Sequence, residues 1–331
     1  MKSISEKDPL AISNLILIII SLFIFSSCTA VDQVQSDLHM DHHADNGSIS
    51  DAGPNGGAVQ DWAKQQLAKS PRHQEWVKIK YRPAGGKPER EVSAFIVYPE
   101  VKNKAAAVIV IHEIFGMTEW VQRLTDQLAE AGYVAIAPDL LSGMGPQGGG
   151  SADIRAQDSN ALGKIIRDLP PDQITADLNA VADYVSNLPA TNGKLAVTGF
   201  CWGGSQSFRY ATNNPKIKAA FVFYGGAPMK EDQKTIDNSA LARIKAPVYG
   251  FYGGNDMRID GTLPATIEAM KVLNKQFDPV TYEGAGHGFM RAGDAPPPAN
   301  DADQKTRDEY PANKKGHDEA WARWKTILAK I

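Results

Sequence analysis

The chain has 331 residues, 43% of them hydrophobic, and its 35 Lys and Arg against 38 Asp and Glu give a formal charge of −3. That is enough apolar sequence for one large domain or two small ones with a full core. With neither a basic excess nor a basic stripe interleaved with aromatics, nucleic acid is excluded as an expected partner.

The N-terminus does not read as globular. The run LILIIISLFIF (Leu15 to Phe25) follows a segment carrying Lys2 and Lys7, and is too short for a comfortable membrane span, so it reads as the core of a signal peptide. Two small serines and then Cys28 follow, which resembles the lipobox of bacterial lipoproteins with Phe25 in the place of the usual Leu. On that resemblance residues 1–27 are the signal peptide. A lipidated Cys28 then anchors an exported protein to a membrane facing the periplasm or the cell exterior. An ordinary secretory signal with an incidental cysteine is the alternative. The chain has only one other cysteine, Cys201, and a lipidated Cys28 cannot form a disulfide with it. Cys201 is then a free thiol, which calls for a functional reason. Residues 28–57 are polar and without helical or strand periodicity, a flexible tether. Its His39, His42 and His43 could hold a transition metal, although an unstructured spacer is the plainer reading.

From residue 58 to 331 apolar runs of strand length alternate with amphipathic segments of helix length. This is the pattern of one α/β domain with a mostly parallel sheet of seven to eight strands and helices on both faces. In chain order the expected strands are Val92 to Tyr98, Ala106 to Ile111, Tyr133 to Pro138, Lys194 to Gly199, Ala219 to Gly225, Pro247 to Gly253 and Pro279 to Gly284. The central ones are apolar almost throughout, as buried parallel strands should be. Between them a helix is expected after a Thr118 cap and ending at Gly132. A second is expected over residues 171–188, with Ile174, Leu178, Val181, Ala182 and Val185 at helical intervals between Pro171 and Pro189. A third, at the C-terminus, has Trp321, Trp324 and Leu328 as expected core residues. No repeat and no internal linker divides the domain, and it is expected to be a monomer.

The chemistry is expected where the fourth of these strands ends, in GFCWGG (residues 199–204). A strand leading into G-x-nucleophile-x-G and then a helix-like SQSFRYAT is the nucleophile elbow of α/β-hydrolases, with Cys201 in place of serine. Glycines are needed there because the backbone turns sharply against a neighbouring strand, and the helix behind Cys201 favours a thiolate. The rest of the chain supplies an acid and a histidine in the order that fold uses. Asp256 follows the strand PVYGFYG, and His287 lies in the Gly-rich loop after PVTYEG.

The segments VIVIHEIFGMTEWV, GYVAIAPDL, GKLAVTGFCWGGS, YGGNDMRI and YEGAGHGFMR resemble the dienelactone hydrolase family over residues 90–295. The resemblance implies a Cys201, Asp256, His287 triad that hydrolyses a small-molecule ester or lactone through an acyl-cysteine, with no metal or organic cofactor. It also implies that Glu113, the acid of HEIFG, contacts and activates the resting thiol, and that backbone N–H groups of Ile114 and Trp202 form the oxyanion hole. Arg291 matches the position of a substrate-carboxylate ligand, and Arg155 is the candidate for a second one, in a loop whose glycines depart from the family. A general carboxylesterase or carbohydrate deacetylase outside the cytoplasm is the rival enzyme reading. A catalytically silent, lipid-anchored binding module is the rival from another class.

Overall fold

The computed structural model describes residues 60–331, so the expected signal peptide, the expected lipidation at Cys28, the expected tether and His39, His42 and His43 lie outside the described residues. Eight strands run β1 (Gln74–Tyr81), β2 (Arg90–Val97), β3 (Ala105–Ile111), β4 (Val134–Pro138), β5 (Thr191–Phe200), β6 (Ala219–Phe223), β7 (Val248–Gly253) and β8 (Phe277–Tyr282). They form one sheet in the order β1-β2-β4-β3-β5-β6-β7-β8, with β2 antiparallel to both its neighbours and every other pair parallel.

The helices are α1 (Asp61–Leu67), α2 (Glu119–Glu130), α3 (Ser151–Gln157), α4 (Ser159–Arg167), α5 (Pro171–Ser186), α6 (Trp202–Asn213), α7 (Asn238–Ala242), α8 (Met257–Asp260), α9 (Leu263–Val272), α10 (Phe289–Asp294) and α11 (Gln304–Leu328). Among the described residues none is long and apolar enough to cross a membrane.

Strand β3 is buried along its whole length, and its alternate residues feed two separate cores. Ile109 and Ile111 join Leu178, Val181 and Val185 of α5 and Phe208 of α6 on one face. Val108 and Val110 join Trp120, Leu124 and Leu128 of α2 and Trp324 and Leu328 of α11 on the other. A strand sandwiched in this way must be apolar on both sides, so continuous apolar runs mark the centre of the sheet.

Three sequence expectations change. Strand β1 was not expected: it is the edge strand, its inward face is only Val77, Ile79 and Tyr81, of which Ile79 alone is fully buried, and its outward face carries Trp76, 49% exposed, beside lysines. Pro171 is the first residue of α5 rather than outside it, the position where a missing N–H costs nothing. Trp321 is partly buried and packs on the core without entering it, while Trp324 and Leu328 are fully enclosed. The Thr118 cap forms as expected, its hydroxyl accepting from the Val121 amide at 3.3 Å.

Candidate active site

The carboxyl ends of the parallel strands carry the site, as expected for an open sheet with crossover helices. Strand β5 turns into α6 at Cys201, which has φ 55° and ψ −120°, a left-handed conformation for a residue with a side chain. Such a backbone costs on the order of 1–3 kcal/mol and persists only where the surroundings enforce it. Here the Cys201 amide donates to the Phe223 carbonyl at 3.1 Å. A Cβ at Gly199 would collide with the Gly203 carbonyl, one at Gly203 with the carbonyls of Ile111 and His112, and one at Gly204 with that of Phe223. The turn therefore lifts Cys201 to the start of α6 while its backbone is gripped by β3 and β6.

The loop after β7 holds Asp256, 6% exposed, and the loop after β8 holds His287. The His287 Nδ1–H donates to Asp256 Oδ2 at 2.5 Å. This leaves Nε2 for Cys201. That nitrogen is buried and forms no fully aligned hydrogen bond among the described residues, yet it lies near enough to the sulfur to feel its charge. Burial works against the imidazolium, but the Cys201 charge and the Asp256 hydrogen bond outweigh it and raise the His287 pKa to about 10. Asp260, four residues on, is engaged elsewhere, accepting from Thr281 Oγ1 at 2.8 Å.

Across from these groups the loop after β3 carries Glu113, 1% exposed. Its Oε2 accepts from Nε of Arg291, on α10 and 5% exposed, at 2.8 Å, and the Arg291 guanidinium lies over the Phe115 ring. No hydrogen bond joins Glu113 to Cys201, so the thiol contact implied by the resemblance is replaced here by an ion pair. Arg291 likewise meets a carboxylate of its own chain. Among the described residues the backbone N–H groups of Ile114 and Trp202 are committed to no other group.

Arg155, the candidate for a second substrate-carboxylate ligand, is engaged with the backbone of its own chain. Its Nη2 donates to the carbonyls of Phe115 at 2.6 Å and Met117 at 3.0 Å, lashing the Glu113 loop to α3. The same loop is tied down again through Asp139, whose Oδ2 accepts from the Ser151 amide and hydroxyl while Ser151 Oγ accepts from the Met117 amide. The Gly-rich stretch before α3 has its explanation in this packing. A Cβ at Gly150 would strike the Asp139 carboxylate, and one at Gly116 (φ 69°) would strike Ser151.

Two neighbours of the site escaped the sequence analysis. Tyr224, just past β6 with φ 40°, stands edge-on to His287 at 5.0 Å between ring centroids, its buried hydroxyl without a partner among the described residues. Burial, reinforced by the Glu113 charge, pushes that phenol well above its usual range, so it stays protonated. His112, immediately before Glu113, is fully buried. Only its place next to the acid could have singled it out. Among the described residues no cluster of three or more His, Cys, Asp or Glu could hold a metal ion.

The sequence pattern of the dienelactone hydrolase family matches residues 92–331, most of the described residues. The chain belongs to the dienelactone hydrolase family. It is thus a hydrolase acting on ester or lactone bonds. It is 33% identical over 206 residues to a Yersinia pestis protein named "Putative carboxymethylenebutenolidase", covering 60% of this chain and 74% of that one. A Saccharolobus solfataricus protein of the same name is 29% identical over 270 residues, 73% of this chain and 95% of the other. Among solved structures, "Putative Dienelactone Hydrolase" from Klebsiella pneumoniae superposes with a TM-score of 0.60 at 26% identity, covering 78% of this chain and all of that one.

Proposed function

We propose that this hydrolase works through an acyl-cysteine formed on Cys201, with His287 and Asp256 completing the triad. The observation that carries the reading is the 2.5 Å bond between His287 Nδ1 and Asp256, which fixes the tautomer and leaves Nε2 beside the sulfur of a strained elbow. The thiolate attacks the ester or lactone carbonyl, and the C=O electron pair moves onto oxygen, where the Ile114 and Trp202 amides receive it. Collapse of the tetrahedral adduct expels the alkoxide or enolate, which takes the Nε2 proton. A water that gives its proton to Nε2 then attacks the thioester, and the acid departs as the sulfur is released. Glu113 acts as the group that takes the thiol proton before this cycle and gives it up to water, and the ion pair with Arg291 is the arrangement of the carboxylate once it is ionised again and has turned away from sulfur.

The commitments of the two arginines favour uncharged esters over a dicarboxylate-like lactone. Arg155 is bound to two loop carbonyls, and a substrate carboxylate at Arg291 would have to displace Glu113. A general carboxylesterase specificity is therefore the second reading. A matched series of neutral and anionic short-chain esters and lactones tests it. Neutral substrates are expected to have the higher kcat/KM, and Arg291→Ala should raise KM for both classes alike. A selective loss for anions would instead assign Arg291 to carboxylate recognition.

We also propose, from the sequence of residues 15–28, that the enzyme is exported and held at a membrane by lipid on Cys28.

A further inference from the structure

Glu113 and Ile114 share a peptide unit, the carbonyl of one and the N–H of the other pointing in opposite directions from a rigid plane. Whatever holds that carbonyl also aims the N–H. The Glu113 carbonyl lies 2.8 Å from Nδ1 of His112 and also accepts from the Gly116 amide at 3.1 Å. The opposite ring nitrogen, Nε2, faces the backbone N–H of Leu140 at 3.4 Å. An amide can only donate, so Nε2 must accept, which puts the ring proton on Nδ1 and makes the bond to Glu113 a true donation. Complete burial keeps the ring neutral, preserving this tautomer.

The same ring reaches the other half of the hole. It stacks on the Trp202 indole, with centroids 5.6 Å apart and planes 15° apart, and the His112 backbone carbonyl closes over Gly203 of the elbow. One buried side chain therefore bears on both amides.

We propose that His112 is the positioning residue of the oxyanion hole. Its Nδ1–H orients and polarises the Glu113–Ile114 peptide, and its face fixes Trp202 at the start of α6. This rests on the reading of Cys201 as the nucleophile. The role differs from that of Glu113, because it concerns only charge on the carbonyl oxygen and not the state of the thiol.

The test uses three variants of the whole enzyme. His112→Phe keeps the stacking face and loses the donor, His112→Asn returns an N–H to the Nδ1 position, and His112→Gln offers an acceptor at the Nε2 position instead. The readouts are ester hydrolysis, binding of an aryl trifluoromethyl ketone that forms an oxyanion on sulfur, and alkylation of Cys201 by iodoacetamide, which forms none. His112→Phe is expected to lower kcat roughly 10- to 100-fold and weaken the ketone in parallel, with KM and the alkylation rate within about threefold of wild type. His112→Asn should recover most of the kcat, and His112→Gln should not. The proposal is overturned if His112→Phe keeps wild-type kcat, if alkylation falls by the same factor as hydrolysis, or if His112→Asn is no better than His112→Gln. Full hydrolysis by Cys201→Ala, measured alongside, would instead overturn the nucleophile reading beneath it.

Discussion

His287 has to be an acid in the first half of the proposed reaction and a base in the second. The structure supplies a reason for the change. Once Cys201 is ionised, the sulfur's charge is the strongest influence favouring the imidazolium, while burial is the strongest opposing it. Acylation removes the sulfur's charge and leaves the burial, so the ring gives up its proton when a base is needed. Nitrogen NMR of the His287 ring should report titration near 10 while Cys201 is ionised and unmodified, and a clearly lower value once Cys201 is alkylated. Unchanged titration would show that sulfur does not control the ring. The same shift predicts a stability profile. The folded pKa of His287 is above its ordinary 6.5, so its contribution is whole below that pH and is lost as pH rises through about 10. Wild-type protein should therefore lose melting temperature across that interval more steeply than His287→Gln; parallel profiles would contradict the assignment.

At the scale of elements, the edge pair β1–β2 is fastened to the rest by one buried polar network. Arg90 of β2 donates to Asp177 of α5 through Nε at 2.6 Å and Nη2 at 2.9 Å, and Tyr81 of β1 donates to the same carboxylate at 2.6 Å. Asp177 is fully enclosed, so removing it strands a cation. Asp177→Ala should cost about 3–5 kcal/mol in denaturant unfolding and deprotect the β1 amides to hydrogen exchange. A loss below about 1 kcal/mol would mean that water reaches Arg90 and replaces the carboxylate. These ties also explain what the sequence could and could not convey. The central strands are legible because both their faces are buried, and Cys201, Asp256 and His287 because each follows such a strand. Strand β1 is not, since its inward residues are few and its outward face mixes Trp76 with Lys78 and Lys80. The commitments of Arg155, His112 and Asp139 were equally hidden. They join loops from different strands, and no periodicity or spacing within one segment encodes such a meeting.

For the whole molecule, the sheet order places β3, β5, β6, β7 and β8 side by side, so the loops that follow them converge on one edge and assemble the site from residues 113 to 291. Chain order alone foretells that convergence, but not that Glu113 and Arg291 would pair across it. Residues 1–59 lie outside the described residues, and the anchor proposal is tested there by intact mass of membrane-extracted protein. A chain beginning at Cys28 with a diacylglycerol or triacyl adduct is expected, and a product with unmodified Cys28 would contradict it. The proposed reaction requires the acyl-cysteine. Wild-type enzyme mixed with an activated ester and quenched in acid within its first turnover should carry one acyl group, located by peptide mass spectrometry on Cys201. The adduct should form at least as fast as steady-state turnover and be absent from Cys201→Ala, which should be inactive. Turnover with no adduct on Cys201, or hydrolysis at the wild-type rate by Cys201→Ala, would contradict the mechanism.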